Sequence, residues 1–524
     1  MEKKITPMAK LPSFLKIKSA LSLRQKVGQL FMPAAFINDS EEEVQKLERL
    51  IKEYYIGSIC FFHSRASAAT NFEGKKEVVH NENSYKRLCY LIERYQNAAE
   101  IPLLIAIDAE WGLAMRIENT PQYPYAISLG AMQNQEKRVE QVGASIARDC
   151  RETGIHWNLS PVVDINLNPE NPVIGYRSFG DDKQKVTDYA KAYLRGMQSQ
   201  GILNSIKHFP GHGDTATDSH LGLPVIDKPK DEVLNNEVYP FTKLMDEGID
   251  SIMVGHLAVP ALSNGRKVAA SVSKEIMTGF LRNELGWNGL IISDALNMHA
   301  ISKDFPEKGT LEHAAFEAGN DVLCFADHVT EGIQHIAKNC SPERIEASLE
   351  RLWQLKEKAF HGSQEQVGNV NPDYDFLMHH LASESLTEIQ GDIEKIETFR
   401  EAGFQFLQLG KQGGYFQEVL KEKAQQASTQ MLLSIVPRQV KPNNNFGFTA
   451  DELESMHTLI NQGNAIIYLF GNPFVLNLLP WKKAKTVVVA YQDFEAFQKQ
   501  AVDHFSGKIA AKGKLPVNLK HSNG

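Results

Sequence analysis

Short apolar runs recur along the chain from about residue 20 to 355 and alternate with helical patterns. They are GSICFF (57–62), PLLIAI (102–107), HWNLSPVV (156–163), ILNSI (202–206), DSIMV (250–254), GLIIS (289–293) and DVLCF (321–325). Being β-rich and continuous rather than alternating, they fit parallel strands buried on both faces. Amphipathic segments lie between them. KRVEQVGASIARDCRETG (137–154) and KEIMTGFLRNELG (274–286) both close on glycine, as a helix C-terminus favours. The repeated strand–helix units predict an α/β fold, most simply a (β/α)8 TIM-type barrel. A doubly wound sheet gives the same local signal.

Polar residues stand just after these strands: Asp108, Asp164, Lys207 with His208, His256 and Asp294. In a barrel all such strand ends open onto one mouth, where barrel enzymes place their chemistry. The helix SPERIEASLERLWQLKEKAF (341–360) closes this region, and the polar HGSQEQVGNVNPDYD (361–375) reads as a linker. The expected organisation is therefore a catalytic domain at 1–362, a linker at 363–375 and a smaller α/β domain at 376–524. That last part has its own apolar runs (FQFLQLG, MLLSIV, NAIIYLFG, KTVVVAY) and few clustered polar residues, so no chemistry is expected in it.

A chain of 524 residues is too long for one ordinary core, which agrees with two domains. A net charge of −8 argues against nucleic acid or an anionic membrane as the main partner. Five cysteines at 60, 89, 150, 324 and 340 show no CxxC spacing, which suits a reducing compartment. The start, MEKKITPMAKLPSFLKIKSALS, lacks the apolar run of a signal peptide, and no stretch approaches the roughly 20 apolar residues of a membrane span. The expectation is a cytoplasmic protein.

Candidate chemistry concentrates in KHFPGHGDTATDSHLGLP (207–224). His208 and His212 have the four-residue spacing of zinc ligands on a helix, but the Phe-Pro-Gly and Gly-Asp around them break helices. No metal is expected there. In Asp218-Ser219-His220, alternate residues of an extended segment share one side, so Asp218 can orient the imidazole of His220 for proton transfer. The same tripeptide also reads as a solvated turn. LRNELGWNGLIISDALN (281–297) delivers Asp294 at the end of a buried strand. That carboxylate reads either as a nucleophile toward an anomeric carbon or as the N-cap of the following segment, ALNMHAIS.

Taken together, these stretches resemble glycoside hydrolase family 3, in particular bacterial β-N-acetylglucosaminidases of the NagZ type. The signature loop at 207–224 and the nucleophile motif at 281–297 carry the resemblance. LSLRQKVGQLFM (21–32), NLSPVVDINLNPENPVIGYRSFG (158–180), AFEAGNDVLCF (315–325) and GKIAAKGKLPVNL (507–519) follow in the expected order. The resemblance implies a barrel followed by an α/β sandwich, with no cofactor. It implies Asp294 as nucleophile, His220 paired with Asp218 as general acid/base, and Asp108, Arg116, Arg177, Lys207 and His208 as sugar contacts. Arg177 could equally be a structural ion pair, and Lys207 a strand-end side chain reaching for solvent.

The chain departs from the family in DAEWGLAMR (108–116), where Trp111 and Leu113 replace the usual glycine and arginine. Ala295 stands where many relatives carry a second aspartate. The implied activity is retaining exo-hydrolysis of terminal β-linked N-acetylglucosamine, for instance from peptidoglycan recycling fragments. A phosphorylase using the same site and a catalytically dead sugar-binding protein are the alternatives.

Overall fold

The computed structural model describes residues 11–63, 81–216, 222–361 and 373–520. The described residues form two compact units that interleave in sequence rather than meeting at a single cut. The first draws on 1–122, 140–163 and 191–370, the second on 123–139, 164–190 and 371–524.

In the first unit seven strands pair in sequence order, every pair parallel: Ala34–Phe36, Ser58–Phe62, Leu104–Ile107, Trp157–Asn158, Leu203–Phe209, Ser251–Val254 and Leu290–Ser293. The ring closes through the segment 321–325. Val322 exchanges backbone hydrogen bonds with Ile291 and Ser293, while Leu323–Cys324 pairs with Phe31–Met32. The first barrel strand is thus one segment broken at Pro33. Its leading half pairs with the last strand and its trailing half with the second. This is the expected (β/α)8 barrel. Helices Glu41–Tyr54, Ser84–Ala98, Glu136–Thr153, Lys183–Ser199, Glu275–Glu284 and Thr310–Ala318 lie between strands. The strand side chains are buried throughout nearly the whole barrel, the property read from the continuous apolar runs.

Two expected strands come out shorter. HWNLSPVV forms a continuous strand only over Trp157–Asn158 and pairs again as a single bridge from Val162 to Lys207, the ladder being interrupted at Pro161, which has no N–H to give. DVLCF pairs fully only at Leu323–Cys324. ILNSI, in contrast, runs on to Phe209, so Lys207 and His208 lie within the strand.

In the second unit a five-stranded sheet has the order Thr387–Gln390, Thr486–Val489, Ala465–Leu469, Met431–Val436, Gln405–Gly410, with only the first strand antiparallel. Alternate residues of a strand point to opposite faces, and the two cores obey this. Ile467, Leu469, Leu433 and Val487 join one core, with Met456 and Ile460 of helix Ala450–Asn461. Ile466, Tyr468, Leu432 and Val488 join the other, with Phe399, Phe416 and Phe505 from three helices. Helices on both faces make it the three-layer α/β sandwich implied by the resemblance. Among the described residues no helix is long and apolar enough to cross a membrane.

Candidate active site

Four strand ends of the barrel build the site, and local sequence explains how each is held. After Leu104–Ile107 the chain turns at Asp108, and the buried Asn158 clamps the turn. Its side chain accepts from the Ala109 N–H (3.0 Å) and donates to the Ala109 carbonyl (3.2 Å). The turn runs into a short 3₁₀ segment, Leu113–Met115, which places Arg116. The Arg116 guanidinium donates to Asp108 Oδ2 at 3.0 Å and lies 5.1 Å from the centre of the Phe62 ring.

Lys207 enters from the next strand but one. Its ammonium is 2.7 Å from Asp108 Oδ1 and 2.8 Å from Glu110 Oε1, with its side chain only 2% exposed. Two carboxylates and two cations therefore interlock. Burial alone would push the Asp108 carboxyl up, but Lys207 and Arg116 outweigh it, and the opposing charge of Glu110, and hold it below the usual carboxylate range. An ionised carboxylate beside buried cations is a fit partner for sugar hydroxyls, which both donate and accept. The alternative of Lys207 reaching for solvent is excluded by its burial.

His208 follows Lys207 through a cis peptide bond and is buried. Gly255 passes so close that a Cβ there would stand 3.0 Å from the His208 Cβ, so the packing uses the missing side chain. His212 meets His208 edge to face at 6.0 Å between ring centres, and its Nδ1 pairs with Thr215 Oγ1 at 2.8 Å. His212 thus fastens the start of the loop. Gly211 sits at φ 128, where a Cβ would press on Glu237 at 2.6 Å. Lys228, bridging Asp214 (2.5 Å) and Glu237 (2.7 Å), fixes the loop further. Asp218 and His220 lie outside the described residues.

Asp294 follows the strand Leu290–Ser293, and its backbone N–H bonds the Val254 carbonyl at 3.0 Å. Its Oδ1 accepts from the Ala295 N–H at 2.8 Å. The next helix starts only at His299, with Met298 in the capping position, so Asp294 is not an N-cap. Burial opposes its ionisation, but the charges of His256 and His208, the Ala295 hydrogen bond and Lys207 prevail, holding the carboxyl down at about 2. It is an anion at any physiological pH.

The barrel therefore gathers Asp108, Arg116, Lys207, His208 and Asp294. Arg177 belongs to the second unit, where the turn Gly175–Arg177 carries it and its Nη1 donates to the Val173 carbonyl at 3.3 Å. Asp164 falls in the second unit too, its carbonyl accepting from the Ser178 hydroxyl at 2.6 Å. Two further residues join the site. Glu110 shares Lys207 with Asp108, and His256, wholly buried, lies against the Asp294 turn. Glu110 stands in the stretch DAEWGLAMR that the resemblance covers, and His256 among the polar residues read at strand ends.

Residues 22–355 match the model of the glycosyl hydrolase family 3 N terminal domain. The chain is 31% identical over 380 residues to a protein named beta-hexosaminidase A from Pseudoalteromonas piscicida, a match covering 66% of this chain and 61% of that relative, less than two thirds of its length. It is 29% identical to a beta-hexosaminidase of Methylobacillus flagellatus, over 65% of this chain and 93% of the relative. Its fold is similar to a solved glycoside hydrolase family 3 beta-N-acetylglucosaminidase from Paenibacillus sp. str. FPU-7, with 26% identity, a TM-score of 0.77, and coverage of 96% of this chain and 99% of that one. With the barrel, its strand-end site and these matches in agreement, the chain belongs to glycoside hydrolase family 3.

Proposed function

We propose that the protein is a retaining exo-β-N-acetylglucosaminidase that releases terminal β-linked N-acetylglucosamine through a glycosyl–Asp294 intermediate. The observation that carries this reading is the Asp294 carboxylate, kept ionised at a barrel strand end beside His208, His256 and Lys207. The names of the Pseudoalteromonas and Methylobacillus relatives and of the Paenibacillus structure support the substrate class.

In the first step an Asp294 oxygen attacks C1 of the sugar while the glycosidic C–O bond breaks. The His220 imidazolium, oriented by Asp218, protonates the departing oxygen. In the second step neutral His220 takes a proton from water, whose oxygen attacks C1 and releases the Asp294 carboxylate. An unperturbed histidine titrates near pH 6.5, so one group serves both steps at neutral pH. Asp108, Arg116, Lys207 and His208 hold the sugar hydroxyls. Peptidoglycan recycling fragments in the cytoplasm are the natural substrate under this reading. The five unpaired cysteines support a reducing compartment.

A mechanism-based fluorosugar of N-acetylglucosamine should label Asp294, and peptide mapping that recovers the label elsewhere would sink the assignment. Asp294→Asn should lower kcat on an aryl N-acetylglucosaminide by on the order of 10³-fold or more. Unchanged turnover would move the chemistry to another site. A histidine acid/base does not repel phosphate as a carboxylate would. Products are therefore compared with and without phosphate: free N-acetylglucosamine in both is expected, and predominant sugar 1-phosphate would replace hydrolysis by phosphorolysis. Turnover on glucosides or xylosides in preference to N-acetylglucosaminides would overturn the substrate class.

A further inference from the structure

His256 follows Gly255 at the end of the strand Ser251–Val254 and is fully buried. Both ring nitrogens are engaged. Nε2 lies 2.9 Å from the Ala295 carbonyl and Nδ1 lies 2.7 Å from Ser271 Oγ. A carbonyl only accepts, so the proton must sit on Nε2, and Ser271 then supplies or accepts the bond at Nδ1. Ala295 is the residue whose N–H holds Asp294 Oδ1. The chain of contacts therefore runs Ser271, His256, Ala295, Asp294, and it joins the ends of two neighbouring strands at the mouth of the barrel.

The turn has two more ties, Leu296 N–H to the Cys324 carbonyl (3.0 Å) and Met298 N–H to the Ala295 carbonyl (3.1 Å). These fix the backbone beyond the nucleophile. On residues 294–295 themselves, the Asp294 N–H bonds the Val254 carbonyl, and the Ala295 carbonyl is shared by the Met298 N–H and the His256 imidazole, which reaches it from another strand end. The imidazole is thus the side chain held on the Ala295 carbonyl, in the peptide group next to the one whose N–H carries the nucleophilic carboxylate.

We propose that His256 is a positioning residue for the nucleophile: through its Nε2 bond to the Ala295 carbonyl it holds the Asp294 carboxylate in the orientation for attack. The role rests on the reading of Asp294 given above. Displacement of a reacting group by about 1 Å costs on the order of 10²-fold in rate. The effect therefore belongs in glycosylation, with sugar binding left nearly as it is.

Two variants of the full-length enzyme test this. His256→Gln can still offer an N–H to the Ala295 carbonyl, and His256→Ala cannot. The Ala variant is expected to lose about 100-fold in kcat/KM and in the rate at which the fluorosugar labels Asp294. Its inhibition constant for N-acetylglucosamine should stay within about threefold of wild type, and the Gln variant should recover most of the lost rate. Equal impairment of both variants, or a loss confined to sugar binding, would overturn the assignment. Crystal structures of the two variants give a readout independent of turnover. Asp294 is expected to leave the Ala295 N–H in the Ala variant and keep it in the Gln variant, and an unmoved Asp294 in both refutes the role. Failure of the functional reading is separate: it shows as absent N-acetylglucosaminidase activity in the wild type, while the structures still report on His256.

Discussion

At the scale of single residues, the Lys207 ammonium is the most consequential charge in the barrel, because it neutralises two carboxylates at once. Removing one partner of a buried ion network leaves the others uncompensated, at a cost of about 3–5 kcal/mol. Lys207→Met should therefore lower unfolding stability by about that amount in a urea titration. A loss under about 1 kcal/mol would mean the cluster is solvated. A second expectation concerns pH. Asp294 titrates at about 2, below its unfolded value, so its stabilising charge interactions are present above the unfolded pKa and lost as pH falls toward 2. With an aryl leaving group good enough to depart unprotonated, kcat/KM should stay level from pH 7 down to about 4. An acid limb in the ordinary carboxylate range, near pH 4 or above, would contradict the ionised nucleophile. Of the site, Asp294, Asp108, Lys207, His208 and His256 were legible as polar residues closing apolar runs, although Lys207 and His208 prove to lie inside their strand. The roles of Glu110 and His256 were not, because they come from partners distant in sequence: Lys207 for one, Ala295 and Ser271 for the other.

At the scale of elements, strands were legible where apolar runs were long, and misjudged where proline or polarity intervened. Pro33 splits the first barrel strand into two short pieces, so no run announced it. Thr387–Gln390 is a half-exposed edge strand with a polar pattern, and it too went unsignalled. Helix Pro342–His361 was evident from its periodicity, but one of its inward residues is a lysine. Lys356 is fully buried, and its ammonium donates to the Pro102 carbonyl at 2.6 Å. Burial pushes it down to about 7. The unfolded chain, with the ordinary lysine value near 10.4, binds more protons than the folded one across that window, so stability should rise with pH from about 7 upward. Between pH 7 and 9 the wild type should gain about 2 kcal/mol relative to Lys356→Met. Parallel stability curves for the two proteins would show that Lys356 keeps its proton in the fold.

At the scale of the whole molecule, two cores were legible in the two series of apolar runs, but the way the chain serves them was not. The stretches 123–139 and 164–190 lie between barrel strands in sequence, yet they join the unit built on residues 371–524. Periodicity shows that a segment has an apolar face and does not say which core receives it. Here Ile127 and Ala131 enter the core of the five-stranded sheet. The closing motif docks on the other stretch: Asp181 N–H bonds the Pro516 carbonyl at 2.9 Å, and Asn518 gives its backbone and side-chain N–H to Asp181 Oδ2 at 2.6 and 2.8 Å. Gly180 lies so close to Pro516 that a Cβ would stand 2.5 Å from its carbonyl oxygen. A chain ending at His361 would strip both stretches of these partners. Each buried aliphatic side chain left bare forfeits about 1.5–3 kcal/mol, and a contiguous apolar patch promotes association. Such a truncated chain should bind a hydrophobic dye and aggregate, with a melting temperature below that of the full protein. A monodisperse, dye-negative fragment melting where the intact protein does would mean that 123–139 and 164–190 fold without the sheet.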